Sequence, residues 1–313
     1  MRRPKDLAAT SQLELGGRGM FEGAPFALTG RRCVQGSRGQ IWNDWTLSFD
    51  HDRPSLSLAE SCGTLTLFRE GSLLPPPEAL VVGTALAPPW LVVERGRATR
   101  LAKWGDLDEA TPAYDYVDLS YRGAPEQRAT LAEDGTFLGT PTDATSLGLT
   151  LRVEAPALIP APDVSMPAGI ELWLELGDVG TLEGVEYRVL GIAARRAGAA
   201  PLSRWQDYLL YNARIGLRWL SVTDGHWTYA TPVEVGPTGF DLEGVSESTV
   251  AVLEWAAGEL PWSAELGEQA TFSEREDLVF EHTVIDVSAA RTQELTPDAV
   301  AKAFGRRSLP RPR

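Results

Sequence analysis

The sequence predicts a mainly β protein. It reads as two tandem, related domains, each a β-barrel or sandwich of short antiparallel strands, with a short helix near the C-terminal end. Three observations carry this. The chain repeats itself in order: Leu13-Glu14-Leu15-Gly16 recurs as Leu174-Glu175-Leu176-Gly177, Glu22-Gly23 as Glu183-Gly184, Gly30 as Gly191, and Trp42-Asn43-Asp44-Trp45-Thr46-Leu47 as Trp205-Gln206-Asp207-Tyr208-Leu209-Leu210. Leu58 and Gly63 then find counterparts in Leu220 and Gly225, and Gly105-Asp106-Leu107 in Gly258-Glu259-Leu260. Apolar residues alternate with period two in several windows, and turn-forming glycines close those windows at short intervals. A repeat this long is a domain rather than a solenoid element, so duplication of one domain is the expected history.

Taken in order, Gly16, Gly19, Gly23 and Gly30 punctuate the first strands, as Gly177, Gly180, Gly184 and Gly191 do later. About five short strands in roughly 55 residues suit a small barrel-like module at the start of each unit. Residues 155–163, Ala-Pro-Ala-Leu-Ile-Pro-Ala-Pro-Asp, read as an extended Pro-rich linker. This places the first domain at 11–154, the second at 164–305 and a basic tail at 306–313. Residues 185–189 and 205–212 alternate as strands. Residues 217–223 and 226–230 flank Asp224-Gly225, a two-residue turn signal, because a type I′ turn needs positive φ at both central positions. That turn sets Val222 against Trp227 and Leu220 against Tyr229 on one apolar face, with Trp219, Ser221, Thr223, His226 and Thr228 on the other. Near the end, Thr296 can cap a helix, Pro297 suits its first position and Gly305 its stop. Ala299, Val300, Ala303 and Phe304 are its expected apolar set.

The length of 313 residues fits two domains, and 43% hydrophobic content with ten Trp is ample for two cores. A net charge of −14 repels nucleic acid and anionic membranes. Positive charge gathers at the ends: Arg2, Arg3 and Lys5 at one, Arg306, Arg307, Arg311 and Arg313 at the other, where it reads as solvated tails. Two cysteines, Cys33 and Cys62, lie in the first half only, so a reduced, cytoplasmic compartment is expected. No apolar leader opens the chain, and no stretch is apolar enough to span a bilayer.

Signatures of chemistry are scarce. The three histidines, His51, His226 and His282, are dispersed, and Asp50-His51-Asp52 before Pro54 reads as a polar loop, so no metal is expected. Gly16-Gly17-Arg18-Gly19 lacks the spacing of a phosphate cradle, and its counterpart lacks the extra glycine. There is no Gly-x-Ser-x-Gly elbow. Cys33, beside Arg31 and Arg32, reads as a structural cysteine because the second copy lacks it. Asp44 and Asp207 stand out, since both copies keep an acid between aromatics. A general acid there needs a partner such as His226 in reach; the plainer reading is an acid paired with an arginine or bonded to backbone N–H groups. The aromatics Trp205, Tyr208, Tyr211, Trp219, Trp227 and Tyr229 belong to a core by default, yet alternation leaves some on the second face.

One string in the second half is Leu174, Gly177, Asp178, Gly180, Gly184, Tyr187, Val189, Gly191, then Trp205, Asp207, Tyr208, Leu210, then Trp219, Leu220, Gly225, Trp227. It resembles the family catalogued as domain of unknown function 4178, and Gly258-Glu259-Leu260-Pro261-Trp262 is similar to that family's following element. Tyr116-Val117-Asp118-Leu119 with Phe137-Leu138-Gly139 looks family-like in the first half. Two departures stand out. The zinc-ribbon cysteines that some members carry are missing, and the first half has Trp45 for the tyrosine and no Gly-x-Trp after Gly63. The resemblance implies bacterial gene clusters containing polyamine-enzyme-like proteins, phage-shock-protein-A-like membrane-stress proteins and small membrane proteins.

Together these readings set an expectation of a non-enzymatic binding or scaffold protein, without cofactor or metal. It would meet protein partners in the cytoplasm, some of them membrane-associated, and so lie at the inner membrane without inserting. The alternative is a binder of a small, polyamine-like cation, or an enzyme, using the second domain. The candidate surface is Trp205, Asp207, Tyr208, Trp219, His226 and Trp227.

Overall fold

The computed structural model describes residues 3–37, 39–50, 53–61, 64–71, 80, 85–86, 90–107, 111–121, 124–132, 135–152, 154–197, 204–233, 249–275, 278–282 and 287–306. They divide into two compact units, one running to residue 158 and one from residue 159 onward.

The first unit contains β1 (Arg18–Phe21), β2 (Ala24–Gln35), β3 (Ile41–Phe49), β4 (Leu56–Ser61), β5 (Thr64–Gly71), β6 (Ala85–Leu86), β7 (Trp90–Gly105), β8 (Ala113–Tyr121), β9 (Ala124–Ala132) and β10 (Gly135–Thr142). Their order in the sheet is β1-β2-β3-β4-β5-β10-β9-β8-β7-β6, and β2 also pairs with β7. That last pairing closes eight antiparallel strands into a barrel. The second unit contains β11 (Ile159–Pro160), β12 (Val179–Leu182), β13 (Val185–Ala197), β14 (Arg204–Asn212), β15 (Gly216–Thr223), β16 (His226–Val233), β17 (Thr249–Leu260), β18 (Gln269–Arg275), β19 (Leu278–His282), β20 (Val287–Leu295) and the helix α1 (Pro297–Ala303). Its order is β11-β17-β18-β19-β20-β16-β15-β14-β13-β12, closed by β17 on β13. Both rings therefore share one connectivity: a four-stranded meander, a crossover, and a second meander that returns along the ring.

The mainly β expectation holds, but the barrel is not the small module at the front of each unit. It takes strands from the whole unit, and β7 and β13 are long. The sequence hides this because alternation fails in the inner half of β13. Ile192, Ala193, Ala194 and Arg195 are all buried in succession, since both faces of β13 are covered there. Bulges at Leu28/Gly30 and Val189/Gly191 further break the period.

The repeated glycines acquire a reason at these bulges. Gly30 pairs with Gly105, and Gly191 with Gly258. Gly105 and Gly258 have φ of +78° and +73°, and a Cβ on Gly258 would lie 2.3 Å from the Leu190 carbonyl oxygen. Only glycine accepts both the conformation and the approach.

Residues 155–163 are extended but anchored. Ala157 N donates to Ala9 O, Ile159–Pro160 adds to the edge of β17, and Ala161 N donates to Gly258 O. The helix begins as expected, with Thr296 Oγ1 accepting from Ala299 N at 3.2 Å and Pro297 at its start. Its buried set is Val300, Ala301 and Phe304, whereas Ala299 is exposed; the short helix turns its capped first turn to solvent. Phe304 packs on Gly180, where a Cβ would lie 2.5 Å from the ring. Arg306, the first residue of the basic tail, is tied to Asp178 rather than solvated.

Candidate functional site

The hairpin of β15 and β16 forms as its turn signal requires. Asp224 and Gly225 have φ of 49° and 83°, and Val222 pairs with Trp227 and Leu220 with Tyr229. Those four side chains lie on the face covered by α1, together with Ile192, Tyr208, Leu210, Val300 and Phe304. Tyr208 and Trp227 are 0% and 1% exposed, with rings stacked at 6.1 Å and 22°. The Tyr208 hydroxyl accepts from Trp173 N at 3.0 Å and donates to Gln206 Oε1. Burial pushes that phenol up to about 12, so it stays protonated. Two of the six candidate residues, Tyr208 and Trp227, are therefore core.

The opposite face carries Trp205, Asp207 and Trp219, and three residues sequence reasoning did not single out: Arg195, Phe272 and Trp262. Arg195, only 3% exposed, sits opposite Trp205 across β13 and β14. Its Nε lies 3.4 Å from Asp207 Oδ2, and Ser221 Oγ donates to Asp207 Oδ1 at 2.6 Å. The guanidinium lies 5.2 Å from the Phe272 ring centre and 5.6 Å from that of Trp262. Trp205 meets Phe272 edge-on at 5.3 Å, although two strands separate them in the sheet order. Trp219 meets Trp262 at 5.9 Å. This is an aromatic cage closed around an internal cation, with a carboxylate as its floor. Cation–π attraction and a charge-assisted pair stabilise one another when water is largely excluded. His226 is exposed beside the turn and opposes Thr223, whereas Asp207 opposes Ser221; the pair does not share a register row.

The first unit places Asp44 and Trp42 at the matching rows of β3. There Val34 stands opposite Trp42 where Arg195 stands opposite Trp205, and Ala59 opposes Asp44 where Ser221 opposes Asp207. Trp42 meets Tyr116 edge-on at 5.7 Å, as Trp205 meets Phe272. Burial pushes the Asp44 carboxyl up to about 6; a Trp42 hydrogen bond and the charges of Arg32 and Arg100 oppose this, and Asp118 reinforces it.

A second polar cluster lies on the other face of this unit. Arg31 bonds Asn43 Oδ1, Thr10 Oγ1 and the carbonyls of Leu7 and Ala8, with its guanidinium 4.6 Å from the Trp104 ring centre. Glu60 accepts from Ser11 Oγ, Gln12 N and Trp45 Nε1. Burial raises the Glu60 acid, against those bonds, and lowers the Arg31 pKa. The cluster clamps the segment before the repeat. Asn43 Nδ2 donates to Thr10 O at 3.0 Å, and Gln206 Nε2 does the same to Glu171 O at 2.6 Å in the second unit. Cys33 is buried here, 3.6 Å from Thr10 Oγ1, and burial pushes its thiol up. Cys62, His51 and Asp52 lie outside the described residues, as does the His282 side chain. Among the described residues no group of three or more His, Cys, Asp and Glu could hold a metal ion, and no helix is long and apolar enough to cross a membrane.

The fold and this cage define the class: an antiparallel β-barrel protein whose second barrel encloses an arginine–aspartate pair in aromatics. Residues 175–287, within the second unit, match the model of the family described as Domain of unknown function (DUF4178). No curated protein and no solved structure matches.

Proposed function

We propose that this chain is a non-enzymatic binding or scaffold protein, an accessory component of a bacterial membrane-stress or polyamine-linked gene cluster. The supporting observation is the state of the acid kept between aromatics. Asp207 is already neutralised by Arg195 and bonded by Ser221, and His226 sits on another row. A general acid or base must reach a substrate proton, and this carboxylate is held by its own fold. The partner class comes from the family resemblance: membrane-associated proteins that would hold the chain at the cytoplasmic face of the inner membrane. Co-expression with a phage-shock-protein-A-like membrane-stress protein, followed by size-exclusion chromatography with light scattering, tests this. A defined hetero-complex is the expected result. A clean monomer that captures no partner under mild cross-linking in its host overturns it.

A second reading, a small-cation binder in the second unit, draws on the half-buried Trp205 and Trp219. Against it, the aromatic faces beside Asp207 already hold the Arg195 guanidinium. Titrating spermidine against tryptophan fluorescence at low salt decides it: a saturable change that Trp219→Ala removes supports the reading, and a flat titration overturns it.

A further inference from the structure

Each unit opens on a strap that lies on its barrel before the first strand. The two straps are gripped at the same backbone atoms by different chemistry. In the first unit Asn43 Nδ2 donates to Thr10 O at 3.0 Å, and Gln12 N donates to Glu60 Oε1 at 2.7 Å. In the second, Gln206 Nε2 donates to Glu171 O at 2.6 Å, and Trp173 N donates to the Tyr208 hydroxyl at 3.0 Å. Thr10 and Glu171, like Gln12 and Trp173, stand at equal distances before Leu13 and Leu174, the leucines that the repeat shares.

The seats beneath the straps differ. Arg31 pairs with Trp45 as Ile192 pairs with Tyr208, and Glu60 pairs with Asn43 as Val222 pairs with Gln206. A buried arginine and a buried glutamate therefore stand where the second unit has a buried isoleucine and valine. The straps follow the same division. Ile170, Leu172, Trp173 and Leu174 all pack in the second core, and the first strap has Ala9, Ser11, Gln12 and Leu13 at those positions. The first strap also holds a later segment of its own unit: Arg152 N donates to Gln12 O at 2.7 Å, and Ala157 N donates to Ala9 O at 2.8 Å.

We propose that the first strap is a polar latch: residues 7–13 and the segment bonded to them through Arg152 and Ala157 come away together while the barrel stays folded, and the Arg31–Asn43–Glu60 cluster sets how readily they do.

Closing the strap over Arg31 and Glu60 withdraws a guanidinium and a carboxylate from water. Burial is the largest effect on the ionisation of both, and each charge offsets part of it for the other. Buried ionic contacts add little net stability for that reason, and opening returns both charges to water. They still fix one register. Arg31 donates to the carbonyls of Leu7 and Ala8 and to the Thr10 hydroxyl, and Glu60 accepts from Ser11 Oγ and Gln12 N. Opening the second strap exposes Ile192, Val222 and the strap's own apolar side chains, which water opposes. Segments with few buried apolar contacts are the ones that open locally.

The test is native-state amide exchange on the full chain, resolved by residue, at increasing sub-denaturing urea. The Gln12, Arg152 and Ala157 amides should exchange through one shared opening, insensitive to low urea and about 100-fold or more faster than the Trp173 amide. Glu60→Gln leaves Arg31 without its counter-charge. It should speed the Arg152 and Ala157 amides, which it does not touch, by one common factor of about ten-fold, with the amides of β8 unchanged. Ser11→Ala removes one strap bond and alters nothing in the barrel. It should speed the same two amides to a smaller degree, and it serves where Glu60→Gln does not fold. The proposal is overturned if the three amides exchange only together with the barrel strands, or if Trp173 exchanges as fast as Gln12. It is also overturned if neither variant speeds Arg152 and Ala157 together.

Discussion

Replacing Asp44 with asparagine should make the protein more stable, and more so at higher pH. The Asp44 carboxyl is pushed up to about 6 from an ordinary 3.8, burial being the largest cause. An acid whose folded-state pKa is raised opposes folding once it must ionise: the penalty is absent below the unfolded-state value, grows as pH rises through the window between the two, and is complete above the folded-state value. At 1.36 kcal/mol per pH unit, the gap amounts to about 3 kcal/mol near pH 8, and partial solvent contact makes that an upper figure. Near pH 5 the folded-state acid is mostly protonated, and the penalty falls to about 1.6 kcal/mol. Asparagine keeps an oxygen for the Trp42 bond and carries no charge at either pH. Urea unfolding followed by circular dichroism, wild type against Asp44→Asn, should give a gain near pH 8 about twice that near pH 5. Equal shifts at the two pH values, or a loss at both, would refute the reasoning, because the acid would then be solvated or satisfied in the folded barrel.

Other substitutions probe the second unit by urea or thermal unfolding. Arg195→Leu leaves Asp207 partly buried without its cation and should destabilise by about 3–5 kcal/mol; adding Asp207→Asn should recover much of that, and a single-variant loss below about 1 kcal/mol would mean the pair is solvated. Trp227→Ala should lose about 3–5 kcal/mol through the cavity it opens. Trp227→Phe should lose far less, because the buried indole nitrogen has no hydrogen-bond partner among the described residues. Gly258→Ala forces a Cβ against the Leu190 carbonyl in a left-handed conformation, and a loss well above about 1 kcal/mol is expected. Thr296→Ala removes the helix cap, worth about 1 kcal/mol, and should show as faster amide exchange confined to α1.

What could be read from the sequence follows from where the physics is local. The hairpin was legible because Asp224-Gly225 satisfies a backbone condition on its own, and its register then follows for every residue of both strands. The helix start was legible for the same reason, since Thr296 and Pro297 act within one turn. The glycines recurred because Gly105 and Gly258 meet a steric demand that no other residue meets, although the demand itself, a carbonyl from the neighbouring strand, is invisible along the chain. Ring closure could not be read. It depends on β2 meeting β7 and β13 meeting β17, strands far apart in sequence, and the inner halves of β2 and β13 are buried on both faces and carry no clean period. The site was half legible. Asp207 was marked by the repeat, but its partner Arg195 was not, because the first unit holds Val34 at that position and the comparison passed over it.

That mismatch qualifies how the repeat bears on the shared acid. Shared features, such as the acid and the edge-on aromatic pair, point first to scaffold, and features confined to one copy point first to function. For Asp44 and Asp207 one shared residue stands in two different local settings. In the second barrel the shared acid is balanced: Arg195 supplies its counter-charge and Ser221 its hydrogen bond. In the first barrel those two positions hold Val34 and Ala59, and the acid stays with Arg32 directly opposite it and a Trp42 hydrogen bond. Packing alone favours an apolar or amide side chain there, since a carboxylate raised to about 6 by burial works against folding at neutral pH. The charges of Arg32 and Arg100 and the Trp42 bond offset part of that cost, and burial remains the larger effect. The same acid thus has two energetic settings in one architecture: paired with Arg195 in the second barrel, and only partly offset by Arg32 in the first.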